Sequence, residues 1–231
     1  MRERPVVAID GPSGAGKTTV SKLLARRAGL TRLDTGAMYR ACALAARRSS
    51  IPWSDGKRLG RMCAGLSIGF RREGEEMRLT LAGEDVSDAI RTPEISMGAS
   101  EVSIHAPVRE AMVALQRKMG EGGGIVLEGR DTGTVVFPDA DAKFFLDAQA
   151  AVRAMRRYRE LSAAEGKSYE EVLQDVLRRD IQDSTRQHSP LRMAQGAVYI
   201  DSTILTAEEV VEEMLRHIPS PTSRASAGEK P

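Results

Sequence analysis

Residues 6–19, VVAIDGPSGAGKTT, carry the most explicit chemistry in the chain. A short apolar run (Val6, Val7, Ala8, Ile9) stops at Asp10, and a glycine-rich turn leads into Gly16-Lys17-Thr18, where helical periodicity begins with Val20, Leu23 and Leu24. Gly11, Pro12, Ser13, Gly14, Ala15, Gly16, Lys17 and Thr18 fit the spacing G-x-x-x-x-G-K-[ST], in the strand–loop–helix context that motif requires. Glycines let successive backbone N–H groups converge on an anion, and the helix N-terminus adds the positive end of its dipole. Lys17 is expected to reach the outer phosphates of a nucleotide, and the Thr18 hydroxyl to ligate Mg²⁺.

A second group follows the apolar run Ile125-Val126-Leu127, which reads as a fully buried parallel strand. Glu128-Gly129-Arg130-Asp131-Thr132-Gly133 then lies where open α/β sheets bind ligands, and charge there is costly unless paired or functional. A third group is arginine-rich: Arg153, Arg156, Arg157 and Arg159 in one helix, and Arg179, Asp183 and Arg186 along one face of the next. It reads either as solvated ion pairs or as a charged wall for an anionic ligand. Tyr39, Arg40 and Arg109 read, taken singly, as packing residues and ordinary helix charges. His105, His188 and His217 have no metal-ligand spacing.

The elements that must hold these groups follow from periodicity. Helices are expected at 17–28 with Gly29 as its stop, after Asp34-Thr35-Gly36, from Pro107 with the stripe Val108, Met112, Leu115 and Met119, and from 148 to about 160. Capping boxes at Ser168-x-x-Glu171 and Thr206-x-x-Glu209 open two more. The first of these has the stripe Tyr169, Val172, Leu173, Val176 and Leu177. Further strands are expected at 31–33, 142–146 and 197–200. Between 64 and 90 the period becomes two: Leu66, Ile68 and Phe70, a polar turn over 71–76, then Met77, Leu79 and Leu81. That antiparallel hairpin does not belong in a parallel series and is read as an inserted subdomain, a flap or a stabilising decoration.

The 231 residues suffice for one α/β core. A net charge of +2 and 4% aromatics argue against a protein devoted to nucleic acid. Two cysteines without C-x-x-C spacing, no leader pattern and no run near the ~18 apolar residues of a membrane span point to a cytoplasmic location. No exposed apolar stripe asks for a partner, so a monomer is expected. The stretch beyond Pro219 has no large apolar residue and is expected to be disordered.

Taken together and in order, DGPSGAGKTT, LDTGAMYR, the hairpin, LEGRDTGTVVFPDA and the arginine-rich helical pair resemble bacterial cytidylate kinases over about residues 5–218. The resemblance implies an α/β, three-layer P-loop kinase fold with a five-stranded parallel sheet, an inserted small antiparallel β NMP-binding subdomain and a helical lid. Its divisions fall at 1–58 (core with P-loop), 59–99 (insert), 100–148 (core), 149–187 (lid and flanking helices), 188–218 (core) and 219–231 (tail). It implies transfer of the ATP γ-phosphoryl group to CMP or dCMP, with Mg²⁺. By the same resemblance Gly11 through Thr19, with Arg153 and Arg157, bind ATP. Lys17, Arg130 and Arg157 are catalytic. Thr35, Arg40, Arg130 and Arg186 meet the acceptor phosphate, Arg179 and Asp183 its sugar, and Ser100, Arg109 and Asp131 its base. The rival readings are a kinase for UMP or another small acceptor, and a non-enzymatic nucleotide switch. No guanine-reading element supports the latter.

Overall fold

The apolar run at Val6 forms strand β1 (Val6–Asp10), buried along its length, in a computed structural model that describes residues 2–74, 76–160 and 166–219. Helix α1 (Lys17–Ala28) follows the glycine turn, and Gly29 at φ 64° ends it in the left-handed conformation that glycine takes at least cost. Strand β2 (Thr31–Asp34) runs into α2 (Thr35–Arg48), whose N-terminus is capped by the Asp34 side chain accepting from the Ala37 N–H. Next come α3 (Gly56–Ala64), the strands β3 (Ile68–Glu73), β4 (Glu76–Leu81) and β5 (Glu84–Asp85), then α4 (Pro93–Val102) and α5 (Ala106–Gly120). Strand β6 (Ile125–Gly129) leads through a π-helical turn (Thr132–Val136) to β7 (Ala142–Asp147). Helices α6 (Ala150–Glu160) and α7 (Tyr169–Thr185), strand β8 (Val198–Asp201) and helix α8 (Ala207–His217) complete the order.

The chain divides into two compact units, one built from residues before Leu33 and after Glu121, the other from Leu33–Glu121. In the first, a five-stranded parallel sheet has the order β2-β6-β1-β7-β8. β1 is central, with Asp10 opposite Gly129 of β6 and Phe145 of β7. Val7, Ile9, Leu24, Val126, Phe144, Leu146, Val211 and Met214 form its core between the sheet and α1 and α8. Ala154, Val172 and Val176 make a smaller core between α6 and α7.

In the second unit, Met38, Leu44, Leu59, Leu79, Ile95, Val102 and Met112 share one core with the antiparallel sheet β3-β4-β5. The expected insert at 59–99 is therefore only part of this unit: α2 and α5 bury their apolar faces in the same core, so the unit runs from Leu33 to Glu121. The hairpin strands also run further into the polar stretch than the alternation suggested, with Glu73 paired to Glu76. Leu177, expected in the α7 stripe, is exposed, because that helix buries only a narrow face. The expected tail beyond Pro219 lies outside the described residues.

Candidate active site

The phosphate-binding loop depends on absent side chains. Gly11 has φ 152°, and a Cβ there would lie 1.9 Å from the Leu146 carbonyl oxygen at the end of β7. Gly14 leaves room for the Arg153 stem, 2.9 Å from where a Cβ would stand. Lys17 is buried and folds back over the loop, its Nζ donating to the carbonyls of Gly11 (2.8 Å) and Pro12 (2.6 Å). Burial, and then repulsion from Arg130, pushes its pKa well down from the ordinary lysine value. An arriving polyphosphate supplies the counter-charge that burial withholds, which favours the ammonium form.

Glu128, at the end of β6, organises the loop from below. One carboxylate oxygen accepts from the Thr18 hydroxyl at 2.9 Å, and the other from Ser21 Oγ at 3.0 Å and the Arg32 guanidinium. The Thr18 hydroxyl thus spends its hydrogen on Glu128 and keeps oxygen lone pairs for a hard cation. An oxygen donor set of this kind fits Mg²⁺, which takes one or two protein oxygens and completes its shell with water and substrate phosphates. Among the described residues no group of three or more His, Cys, Asp or Glu side chains forms a metal cage.

Beyond β6, still in the first unit, the expected acceptor residues draw together. Arg130 Nε donates to Asp183 Oδ2 at 2.6 Å. Arg186 lies 3.8 Å from Asp183 and 3.9 Å from Asp131, and anchors its own Nε on the Ser189 carbonyl at 2.7 Å. Burial works to raise the Asp183 pKa, but Arg130, Arg179 and Arg186 more than offset it, so the carboxyl sits below the ordinary range. Asp131 itself is buried. Asp10 reaches the same segment and accepts from the Thr132 N–H (2.7 Å), the Thr132 hydroxyl (2.8 Å) and the Gly133 N–H (2.7 Å).

In the second unit, Thr35 is the buried first residue of α2, and Arg40 one turn on pairs with Asp34 at 3.3 Å. Ser100 lies on α4 with its hydroxyl toward the Ser96 carbonyl at 3.5 Å. Arg109 is not the boundary charge its sequence position suggests. It is 4% exposed, donates to the Ser103 carbonyl at 3.2 Å and stands 5.5 Å from the Tyr39 ring centroid.

The two arginines expected in the lid have different surroundings. Arg153 is buried, holds Asp180 of α7 through both terminal nitrogens (3.0 and 2.7 Å) and reaches the Ser13 carbonyl in the phosphate loop at 3.1 Å. Arg157 is exposed and pairs with Glu160 at 3.4 Å. Arg156, between them, donates to the hydroxyl and carbonyl of Ser202. Sequence reasoning missed Asp10, Arg32 and the particular role of Glu128. For Asp10 a signal existed: it is a charge at the end of a buried apolar strand, the same cue that singled out residues 128–131.

A glycine-rich loop between β1 and α1 of a parallel sheet, a folded-back lysine and an arginine-rich helical pair define a P-loop kinase. The family model described as "Cytidylate kinase" matches residues 7–220. The chain is 53% identical over 226 residues to the cytidylate kinase of Geobacter sp. (strain M21), covering 97% of this chain and 96% of the relative. It is 44% identical over 217 residues to that of Vibrio cholerae serotype O1, covering 94% and 96%. A solved structure of an uncharacterized protein from Eubacterium ventriosum ATCC 27560 shares the fold at 11% identity, with a TM-score of 0.50 over 93% of this chain and 98% of that one. The chain belongs to the cytidylate kinase family. Among its described residues no helix is long and apolar enough to cross a membrane.

Proposed function

We propose that this enzyme transfers the γ-phosphoryl group of ATP to CMP or dCMP, giving CDP or dCDP. The observation that carries the reading is that one sheet, in a member of this family, holds a phosphate-binding loop after β1 and a cluster of Arg130, Asp131, Asp183 and Arg186 beyond β6.

The donor triphosphate is cradled by Gly11, Pro12, Ser13, Gly14, Ala15, Gly16, Lys17, Thr18 and Thr19, with Arg153 and Arg157 contributing from the lid. Lys17 exchanges its two carbonyl acceptors for phosphate oxygens. Thr18 would hold Mg²⁺, with Glu128 orienting the hydroxyl, and the ion would supply charge neutralisation to the polyphosphate. The residues proposed for the acceptor, on the strength of the family resemblance, are Arg130, Arg179, Asp183 and Arg186, together with Thr35, Arg40, Ser100 and Arg109. Phosphoryl transfer passes through a loose transition state with charge spread over equatorial oxygens, so alignment and cationic screening do most of the catalysis. Lys17, Arg130 and Arg157 supply that charge, and guanidinium groups add orientation through bidentate contacts. The attacking oxygen is already an anion, so no general base is needed.

Asp131 reads the base. Cytosine presents its N4 amino group as a donor, which a carboxylate accepts, whereas uracil presents O4 and sets acceptor against acceptor. We read the enzyme as a cytoplasmic monomer. An acceptor panel of CMP, dCMP, UMP and shikimate, with ATP, Mg²⁺ and coupled ADP detection, tests the assignment. Rapid turnover of CMP and dCMP is expected, and UMP used as well as CMP would overturn the base-reading role.

A further inference from the structure

Resting on the reading of ATP as donor and CMP as acceptor, we propose that helix α7 couples the two substrate sites, with Asp180 as the positioning residue on its donor side.

Asp180 and Asp183 stand three residues apart on α7, so their side chains leave from neighbouring points on one face. Each carboxylate holds an arginine of a different site. Asp180 takes both terminal nitrogens of Arg153 (3.0 and 2.7 Å), and Asp183 takes Arg130 Nε at 2.6 Å. Arg153 in turn donates to the Ala148 carbonyl through Nε (2.7 Å) and to the Ser13 carbonyl through a terminal nitrogen (3.1 Å). Its guanidinium therefore joins the entry to α6, the phosphate loop and α7.

The Ser13 carbonyl and the Gly14 N–H belong to one planar trans peptide, so fixing the carbonyl fixes the direction of a donor in the phosphate loop. Gly14 lets α6 come close enough for this contact. A Cβ there would stand 2.9 Å from the Arg153 Cβ and 3.0 Å from the Arg153 carbonyl oxygen. Asp180 thus acts on the loop through Arg153.

The buried side chains of α7, Val172 and Val176, both lie in its first half. From Leu177 onward the helix buries none, and its ties to Arg153 and Arg130 govern where that half lies. A ligand that draws Arg130 toward its phosphate moves the Asp183 end of the same helical turn that carries Asp180. Coupling of this kind needs one element that both sites bias, and the turn from Asp180 to Asp183 is that element.

The test measures the dissociation constant of β,γ-methylene-ATP, whose terminal phosphoryl group is not transferred, in the presence of Mg²⁺ and with or without saturating CMP. The ratio of the two constants is the coupling factor. It is expected to be about fivefold or more in the parent, with CMP affinity shifting by the same factor, as linkage requires. Asp180→Asn keeps the size but loses the charge and one of the two acceptor oxygens. Its factor should fall to within about twofold of unity, while CMP binding to the nucleotide-free variant stays within about twofold of the parent. A merely structural aspartate would weaken both ligands and leave the factor alone. Val176→Ala loosens the contact between α6 and α7 without touching either tie, and its factor should match that of the parent. Arg153→Lys, which cannot hold Asp180 through two nitrogens, should lower the factor as Asp180→Asn does and carries the test if that variant does not fold. A parent factor of unity, an unchanged factor in Asp180→Asn, or an equal fall in Val176→Ala overturns the coupling and leaves CMP phosphorylation standing. A parent that binds β,γ-methylene-ATP but not CMP overturns the acceptor reading, and the coupling with it.

Discussion

Arg32 and Glu128 form an ion pair buried on both sides, with side chains 8% and 5% exposed, at the junction of β2, β6 and the phosphate-loop helix. Such a pair is weak evidence for net stability, because desolvation offsets most of the Coulombic gain, but removing one partner leaves an uncompensated buried charge. Arg32→Leu is therefore expected to cost about 3–5 kcal/mol in urea unfolding. Replacing both residues by leucine should cost less than the single change. A single variant as stable as the parent would mean that the Glu128 charge is balanced elsewhere.

Lys17 gives the opposite balance. It occupies a buried position that lowers its own pKa, with two backbone carbonyls as partners. Folding thus gains little from its charge, whereas phosphate transfer depends on it. Lys17→Met is expected to lower kcat by about 10²–10³, the range for losing one donor to developing charge. Its melting temperature should match or exceed that of the parent. A destabilised variant with near-normal kcat would reverse the assignment.

Asp10 makes stability depend on pH in a predictable direction. Burial raises its pKa from 3.8 to about 6, opposed by the bonds from Gly133 and Thr132 and assisted by the nearby Asp131 charge. Between those values the folded chain binds the proton more tightly than the unfolded chain does, so the Asp10 contribution to stability falls as pH rises from about 4 to 6 and is flat above. The unfolding free energy of the parent minus that of Asp10→Asn should fall by up to about 3 kcal/mol across that window. Subtraction cancels other carboxylates common to both proteins. A difference that rises with pH would contradict the burial effect.

Local spacing and long-range pairing explain what the sequence disclosed. The loop Gly11–Thr18 was legible because its chemistry is contained in eight consecutive residues. Asp183 and Arg186 read as one helix face in the sequence; α7 ends at Thr185 with Arg186 as its non-helical C-cap, yet the structure still brings both beside Arg130 and Asp131. Arg32 was not, since a charge in a four-residue strand carries no periodic signal and its partner lies 96 positions away. Helices α3 and α4 were overlooked although Asp55 caps Arg58, and Thr92-Pro93 is a cap followed by proline at the first turn. The alternating hairpin between them dominated the pattern. Among the lid arginines, period alone does not separate Arg153, locked on Asp180 and Ser13, from Arg157 four residues on, paired at the surface with Glu160.

Cys42 on α2 and Cys63 on α3 place their sulfurs 2.7 Å apart as free thiols, 0% and 3% exposed in the core of the second unit. The hydrogen bond to Cys63 and then burial push the Cys42 thiol well above the ordinary range. Thiolate, not thiol, reacts with disulfide reagents, so the raised pKa protects Cys42 while burial shields both sulfurs. In the folded protein neither cysteine should react with Ellman's reagent on the timescale of mixing, and two thiols per chain should appear in guanidinium. The slow native reaction should then track opening of the α2–α3 core, and nucleotides that stabilise this unit should slow it further. Immediate labelling of either thiol in the native enzyme would show that the two helices separate without global unfolding.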